Sequence, residues 1–169
     1  MNKRIFVEKR SQFDVESQKL LTELKEISPL TQFKQYLIYD VFGLDESLWD
    51  SALRVLTDQV SDIVNYENPI DHSFASFAME YLPGQYDQRA DSAEQAIQLV
   101  TGSRPAIRTG KLFAFDNLGE TELKKIKDYL INSVDSHEKE LAVLQEPSIP
   151  LPSEVLVIEG FISFVFSIS

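Results

Sequence analysis

The stretch SFASFAMEYLPGQYDQRADSAEQAIQLV, residues 73–100, decides how the rest of the chain is read. Its first ten residues carry the aromatic and alternating apolar positions of a strand. Pro83 and Gly84 then impose a sharp turn, because proline fixes φ and glycine accepts positive φ. Beyond the turn, Ala93, Ala96, Ile97 and Val100 recur at helical spacing and predict a helix from about Arg89 to Val100. Asp87 stands where a helix cap belongs, and Asp91 in the first turn suits the positive end of the helix dipole.

The same order has already run once. Residues 3–9, KRIFVEK, predict a strand, and Asp14 caps a helix through about Ile27, with Leu20, Leu21, Leu24 and Ile27 on one face. Residues 33–42, FKQYLIYDVF, predict a second strand. Asp45 caps a second helix whose buried stripe is Leu48, Trp49, Ala52, Leu53 and Leu56. QVSDIVNY (59–66) predicts a short strand, and ENPID (67–71) a turn. After the opening stretch come a strand at 106–115 and a helix at about 120–131, with Leu123, Ile126 and Leu130 inward; SVDSHEKE ends that helix. LRVLTDQVSD (53–62) and DYLINSVDSH (128–137) also resemble each other.

The expected fold is therefore α+β. Two strand-helix-strand-helix repeats, 1–67 and 73–137, pair into one mostly antiparallel sheet with helices on one face. Neither half, at about 70 residues, has much core of its own. Residues 138–169 are expected to lie outside this domain. Pro147, Pro150 and Pro152 mark a linker, and the apolar run VLVIEGFISFVFSIS (155–169) starts something further. That run is shorter than the about 20 apolar residues of a membrane helix and is broken by Glu159 and Gly160.

The chemistry-bearing residues are sparse. The chain has 169 residues, a formal net charge of −11 and no cysteine. The charge argues against nucleic acid as a partner, which needs clustered Lys and Arg. The missing cysteine removes disulfides, thiolate metal sites and a Cys nucleophile. His72 and His137 have no ligand partner at metal-binding spacing, and both are expected to be exposed polar residues. The glycines are scattered singly, so no phosphate-binding loop is visible. No catalytic pair stands out, and no metal or cofactor site is expected in this chain. The polar cluster Gln85, Asp87, Gln88, Arg89 and Asp91 has two readings. One is a capped, charge-balanced turn in which Arg89 pairs with a neighbouring acid. The other is a polar surface offered to another domain or to an anionic ligand.

LPGQYDQRADSAEQAIQL resembles the N-terminal region of large single-chain phosphoribosylformylglycinamidine (FGAM) synthases of the streptococcal and lactic-acid type. MNKRIFVEKRSQFD, YDVFGL (39–44), YLINSVDS (129–136) and VIEGFI (157–162) resemble the same proteins in the same order. The resemblance implies a PurS-like domain built like two fused PurS subunits, belonging to a cytoplasmic ligase of purine biosynthesis. That ligase converts formylglycinamide ribonucleotide to FGAM with glutamine and ATP. It further implies that the ATP and magnesium sites of the synthetase, and the glutaminase nucleophile, lie outside this chain. The chain is then expected to be truncated and inactive alone, with the synthetase and glutaminase domains as partners, and without nucleic acid or membrane. Gln85, Asp87, Gln88, Arg89 and Asp91 become interdomain or substrate-edge contacts by the same resemblance. A free-standing adaptor bridging separate synthetase and glutaminase subunits is the alternative, and a small-ligand regulatory module is a third.

Overall fold

Ten elements carry the chain in a computed structural model that describes residues 1–29, 32–142 and 144. The first half runs β1 (Asn2–Lys9), α1 (Val15–Lys25), β2 (Phe33–Phe42), α2 (Trp49–Leu56) and β3 (Asp62–Asn65). The second runs β4 (Ala75–Tyr81), α3 (Gln88–Thr101), β5 (Ala106–Phe115), α4 (Glu120–Leu130) and β6 (Ser136–Lys139). Local signals set the boundaries. Asp14 accepts from Ser17 N at 3.1 Å to cap α1, and Asp45 caps a short 3-10 turn leading into α2. Pro83 and Gly84 occupy the centre of a turn closed by Gln85 N donating to Leu82 O, with Gly84 at φ +87°.

The strands form one sheet in the order β3-β1-β2-β5-β4-β6, and each neighbouring pair is antiparallel. Each half contributes three strands. The halves meet along β2 and β5, paired continuously from Phe33↔Phe115 to Phe42↔Ala106. The α+β repeat expected from the sequence is thus present, with one correction. SVDSHEKE does not merely end a helix: it contains β6, so both halves read strand-helix-strand-helix-strand. The strand is hard to see in sequence because its two buried residues are Ser136 and Lys139. It also carries the paired sheet to Lys139, two residues past the boundary expected at 137. Residues 140–142 and 144 are also described, and the Pro-rich linker (145–154) and the apolar run (155–169) lie outside the described residues.

The helices cover one face of the sheet. Odd-numbered residues of the strands, among them Ile5, Val7, Tyr39, Val41 and Ile107, pack with Trp49, Ala52 and Leu56 of α2 and Ala90, Ala93 and Ile97 of α3. Phe77, Phe113 and Phe115 pack with Leu24 of α1 and Ile126 of α4. Each helix pair therefore joins one helix from each half.

The opposite face holds a second apolar patch of Phe6, Tyr36, Ile38, Ala78 and Leu112, joined by Ile70 and Leu141. Beside it lies a buried ionic network. Arg4 grips Asp40 with two bonds of 2.6 and 2.8 Å. Lys139 Nζ bridges Asp40 Oδ2 at 3.0 Å and Glu80 Oε2 at 2.7 Å, and Arg108 donates to Glu80 Oε1 at 2.6 Å. His137, expected at a solvated helix end, sits on β6 with Nε2 3.2 Å from Glu80 Oε1.

Lys139 reaches Asp40 by crossing over Gly110. A Cβ at Gly110 would stand 2.8 Å from Met79 O and 3.1 Å from Lys139 Cδ. Gly110→Ala is therefore expected to cost about 1–3 kcal/mol, as overpacking does, because backbone cannot yield there. Urea unfolding checks this; a change within error would mean that the lysine path is not tight. Tyr36, on the same face, has its phenol pushed up to about 12, by burial first and by the charge of Glu8 second. The unfolded chain ionises this tyrosine near pH ~10. Stability is therefore expected to be full below that pH and to fall as pH rises towards 12. Denaturation midpoints across this range should fall less in Tyr36→Phe.

Candidate functional site

The helix face is not filled evenly. A cleft of about 870 Å³ opens between α1 and the start of α3, floored by Leu37, Thr109, Lys111, Met79 and Phe113. A smaller cavity of about 250 Å³ lies beside it, towards Tyr39 and Asp62. Glu16, Leu37, Arg89 and Lys111 line both and so form the ridge that separates them.

The turn after β4 aims α3 at this cleft. Asp87 does more than cap the helix. Its Oδ1 accepts from Ala90 N at 2.9 Å, while its Oδ2 accepts from Thr109 Oγ1 at 2.6 Å and Thr109 N at 3.3 Å. One carboxylate thus satisfies a helix-end N–H and fastens that end to β5. One face further along, Glu94 Oε1 accepts from Ile107 N at 2.9 Å and makes a second fastening. Between these two points α3 is held rigidly, and Gln88 and Arg89 project to the cleft.

The five residues singled out in the sequence are therefore divided. Asp87, Gln88 and Arg89 line the cleft. Asp91 turns away: it accepts from Tyr86 Oη at 3.0 Å, Gln95 Nε2 at 2.9 Å and Arg104 Nη2 at 3.0 Å. The Tyr86 hydrogen bond, helped by Gln95 and Arg104, holds the Asp91 carboxyl below its ordinary range; the same bond raises the Tyr86 phenol. Gln85 stays exposed on the turn. The expected pairing of Arg89 with a neighbouring acid is replaced. Arg104 takes Asp91, and Arg89 turns to the Tyr39 hydroxyl and towards Glu16. Burial raises the Tyr39 phenol, and Arg89 opposes that rise.

Sequence reasoning missed the far wall of the site. Glu16 on α1 accepts from Lys111 Nζ at 2.9 Å and from Gln35 Nε2 at 3.3 Å. The Lys111 bond holds the Glu16 carboxyl below its ordinary range, with Arg89 adding its charge. Glu16 and Lys111 are 95 residues apart, so no local pattern joins them. Among the described residues no group of three or more His, Cys, Asp or Glu is placed to hold a metal ion. No helix among them is long and apolar enough to cross a membrane.

No family profile matches the chain, and no curated protein matches it significantly.

Asp87 and Arg89 should separate cleanly in mutagenesis. Asp87→Ala removes a cap and leaves the Thr109 groups unpaired, at an expected cost of about 2 kcal/mol or more. Arg89→Ala, at an exposed side chain, should change stability by less than about 0.5 kcal/mol. Thermal and urea unfolding of both variants check this; equal losses would mean that Arg89 is part of the scaffold.

Proposed function

We propose that this chain is the PurS-like N-terminal domain of a single-chain FGAM synthase, acting in assembly rather than in chemistry. The observation that supports it best is the fused double unit. Two β-α-β-α-β halves join edge to edge through β2 and β5, and they exchange helix partners across that joint. This is the form expected of two PurS-like subunits in one chain. The most specific part of the resemblance, LPGQYDQRADSA, supplies the rigid start of α3 and one wall of the cleft. A domain of this kind has the synthetase and glutaminase as partners, works in the cytoplasm of purine-making cells, and leaves ATP, magnesium and the glutaminase nucleophile to the rest of the synthase.

The test is reconstitution. A synthase polypeptide lacking its own N-terminal domain is mixed with this chain; complex formation is followed by light scattering and FGAM formation by glutamine- and ATP-dependent turnover. The chain alone should show no turnover, and the mixture should form a complex and regain it. Arg89→Ala should weaken the complex while leaving the melting temperature of the domain unchanged. Turnover by the pure chain, or no complex at tens of micromolar, overturns the reading. Tight binding to separate synthetase and glutaminase subunits instead would favour the free-standing adaptor.

A further inference from the structure

The ridge between the two cavities is built like an occupied anion site. Lys111, from the centre of β5, and Arg89, from the first turn of α3, converge there from different elements. Lys111 meets the carboxylate of Glu16 there at 2.9 Å, the Gln35 amide donates to it at 3.3 Å, and the charge of Arg89 acts on it without direct contact. The carboxylate belongs to a side chain that is 65% exposed, in the first turn of α1. Its partners are placed differently. Lys111 is 37% exposed and rises from the sheet, where Leu37 faces it in register. Gln35 Oε1 is buried without a hydrogen-bond partner, so this amide is only half used by Glu16.

Arg89 is positioned by the fastening of α3 through Asp87 to Thr109. Two cations and an amide are therefore held in place by the sheet and the anchored helix. The one anion among them, Glu16, is 65% exposed and sits on a side chain free to rotate. Beside them lies a cleft of about 870 Å³, within the about 300–1,000 Å³ of ordinary small-molecule sites. Its lining includes apolar Leu20, Leu37, Met79 and Phe113, with Glu23 and Asp87 as further carboxylates.

We propose that Glu16 is a displaceable internal stand-in, and that the cleft binds a small organic oxyanion whose phosphate or carboxylate replaces Glu16 between Lys111 and Arg89. The body of the ligand lies on Leu37 and Met79, and a hydroxyl next to the anionic group meets Gln35 Oε1. Rotation of Glu16 into water releases Lys111 and the Gln35 amide together, removes the negative charge near Arg89, and joins the two cavities. This site stands on the ridge geometry and does not depend on the synthase reading.

The stand-in makes an unusual demand: removing an acid must improve binding. Amide spectra of the full 169-residue chain are titrated with ribose 5-phosphate and, separately, with glutarate, so that phosphate and carboxylate sources are told apart. Glu16→Ala should tighten binding of at least one probe by roughly tenfold, the scale of one lost charge-assisted competitor. The shifted amides should include Gln35, Thr109 and Arg89. Lys111→Met in the Glu16→Ala background should abolish those shifts while the remaining spectrum stays folded. Which probe responds assigns the anion. The proposal is overturned if neither probe moves these amides in Glu16→Ala, or if Glu16→Ala leaves affinity unchanged. It is equally overturned if binding survives Lys111→Met. Reconstitution of synthase turnover is read separately, so either idea fails without the other.

Discussion

Everything in this molecule depends on the pairing of β2 with β5. Each half contributes three strands and two helices, too little to enclose a core. Ten consecutive residues of each strand are in register at the joint, and the two strands sit at the middle of the sheet. Strand edges are avid for partners, and here the two longest edges satisfy each other. Among the described residues, only the short strands β3 and β6, four residues each, remain at the margins. The joint also fixes the cleft, because Leu37 and Lys111 are directly opposed across it.

The two faces of the joint solve different problems. The helix face is packed at its two ends by mixed helix pairs and is left open in the middle, which is why a cleft exists there at all. The other face carries a network of charges that spans both halves. Asp40 belongs to the first half and Glu80, Arg108 and Lys139 to the second. Buried ions cost several kcal/mol each in desolvation, and such networks return that only when each charge finds close partners. Here the partners are 2.6–3.0 Å apart, and the smallest residue, Gly110, gives Lys139 its path. A network of this kind discriminates between registers: a slip of one residue turns these side chains to the other face.

Much of the fold was legible. The aromatic and β-branched runs at 33–42 and 106–115 predict β2 and β5 to the residue, and Asp14 and Asp87 cap α1 and α3 as their positions suggest, while Asp45 caps the 3-10 turn before α2 and not α2 itself. Hydrophobic periodicity carries that information locally. It fails at β6, where burial is achieved by a serine and by a lysine paired to acids on two other strands. It fails also for the site. The cluster at 85–91 was visible as polar residues on a turn, but which of them share a surface was settled by Thr109, Arg104, Glu16 and Lys111. Those residues are distant in sequence or look like ordinary solvated charges.

The position of the joint has a consequence for synthesis. The last residue of β2 is Phe42, and its partner strand is complete only at Phe115, 73 residues later. At about 5–20 residues per second, a ribosome needs roughly 4–15 seconds to deliver the second strand once the first has emerged. During that interval the nascent first half offers an aromatic ten-residue edge, and apolar surfaces of α1 and α2 whose covering helices do not yet exist. A pause or a chain break between Phe42 and Phe115 would prolong that exposure. The hazard falls on the translating chain alone, because once β5 docks, the vulnerable edge becomes the centre of the sheet.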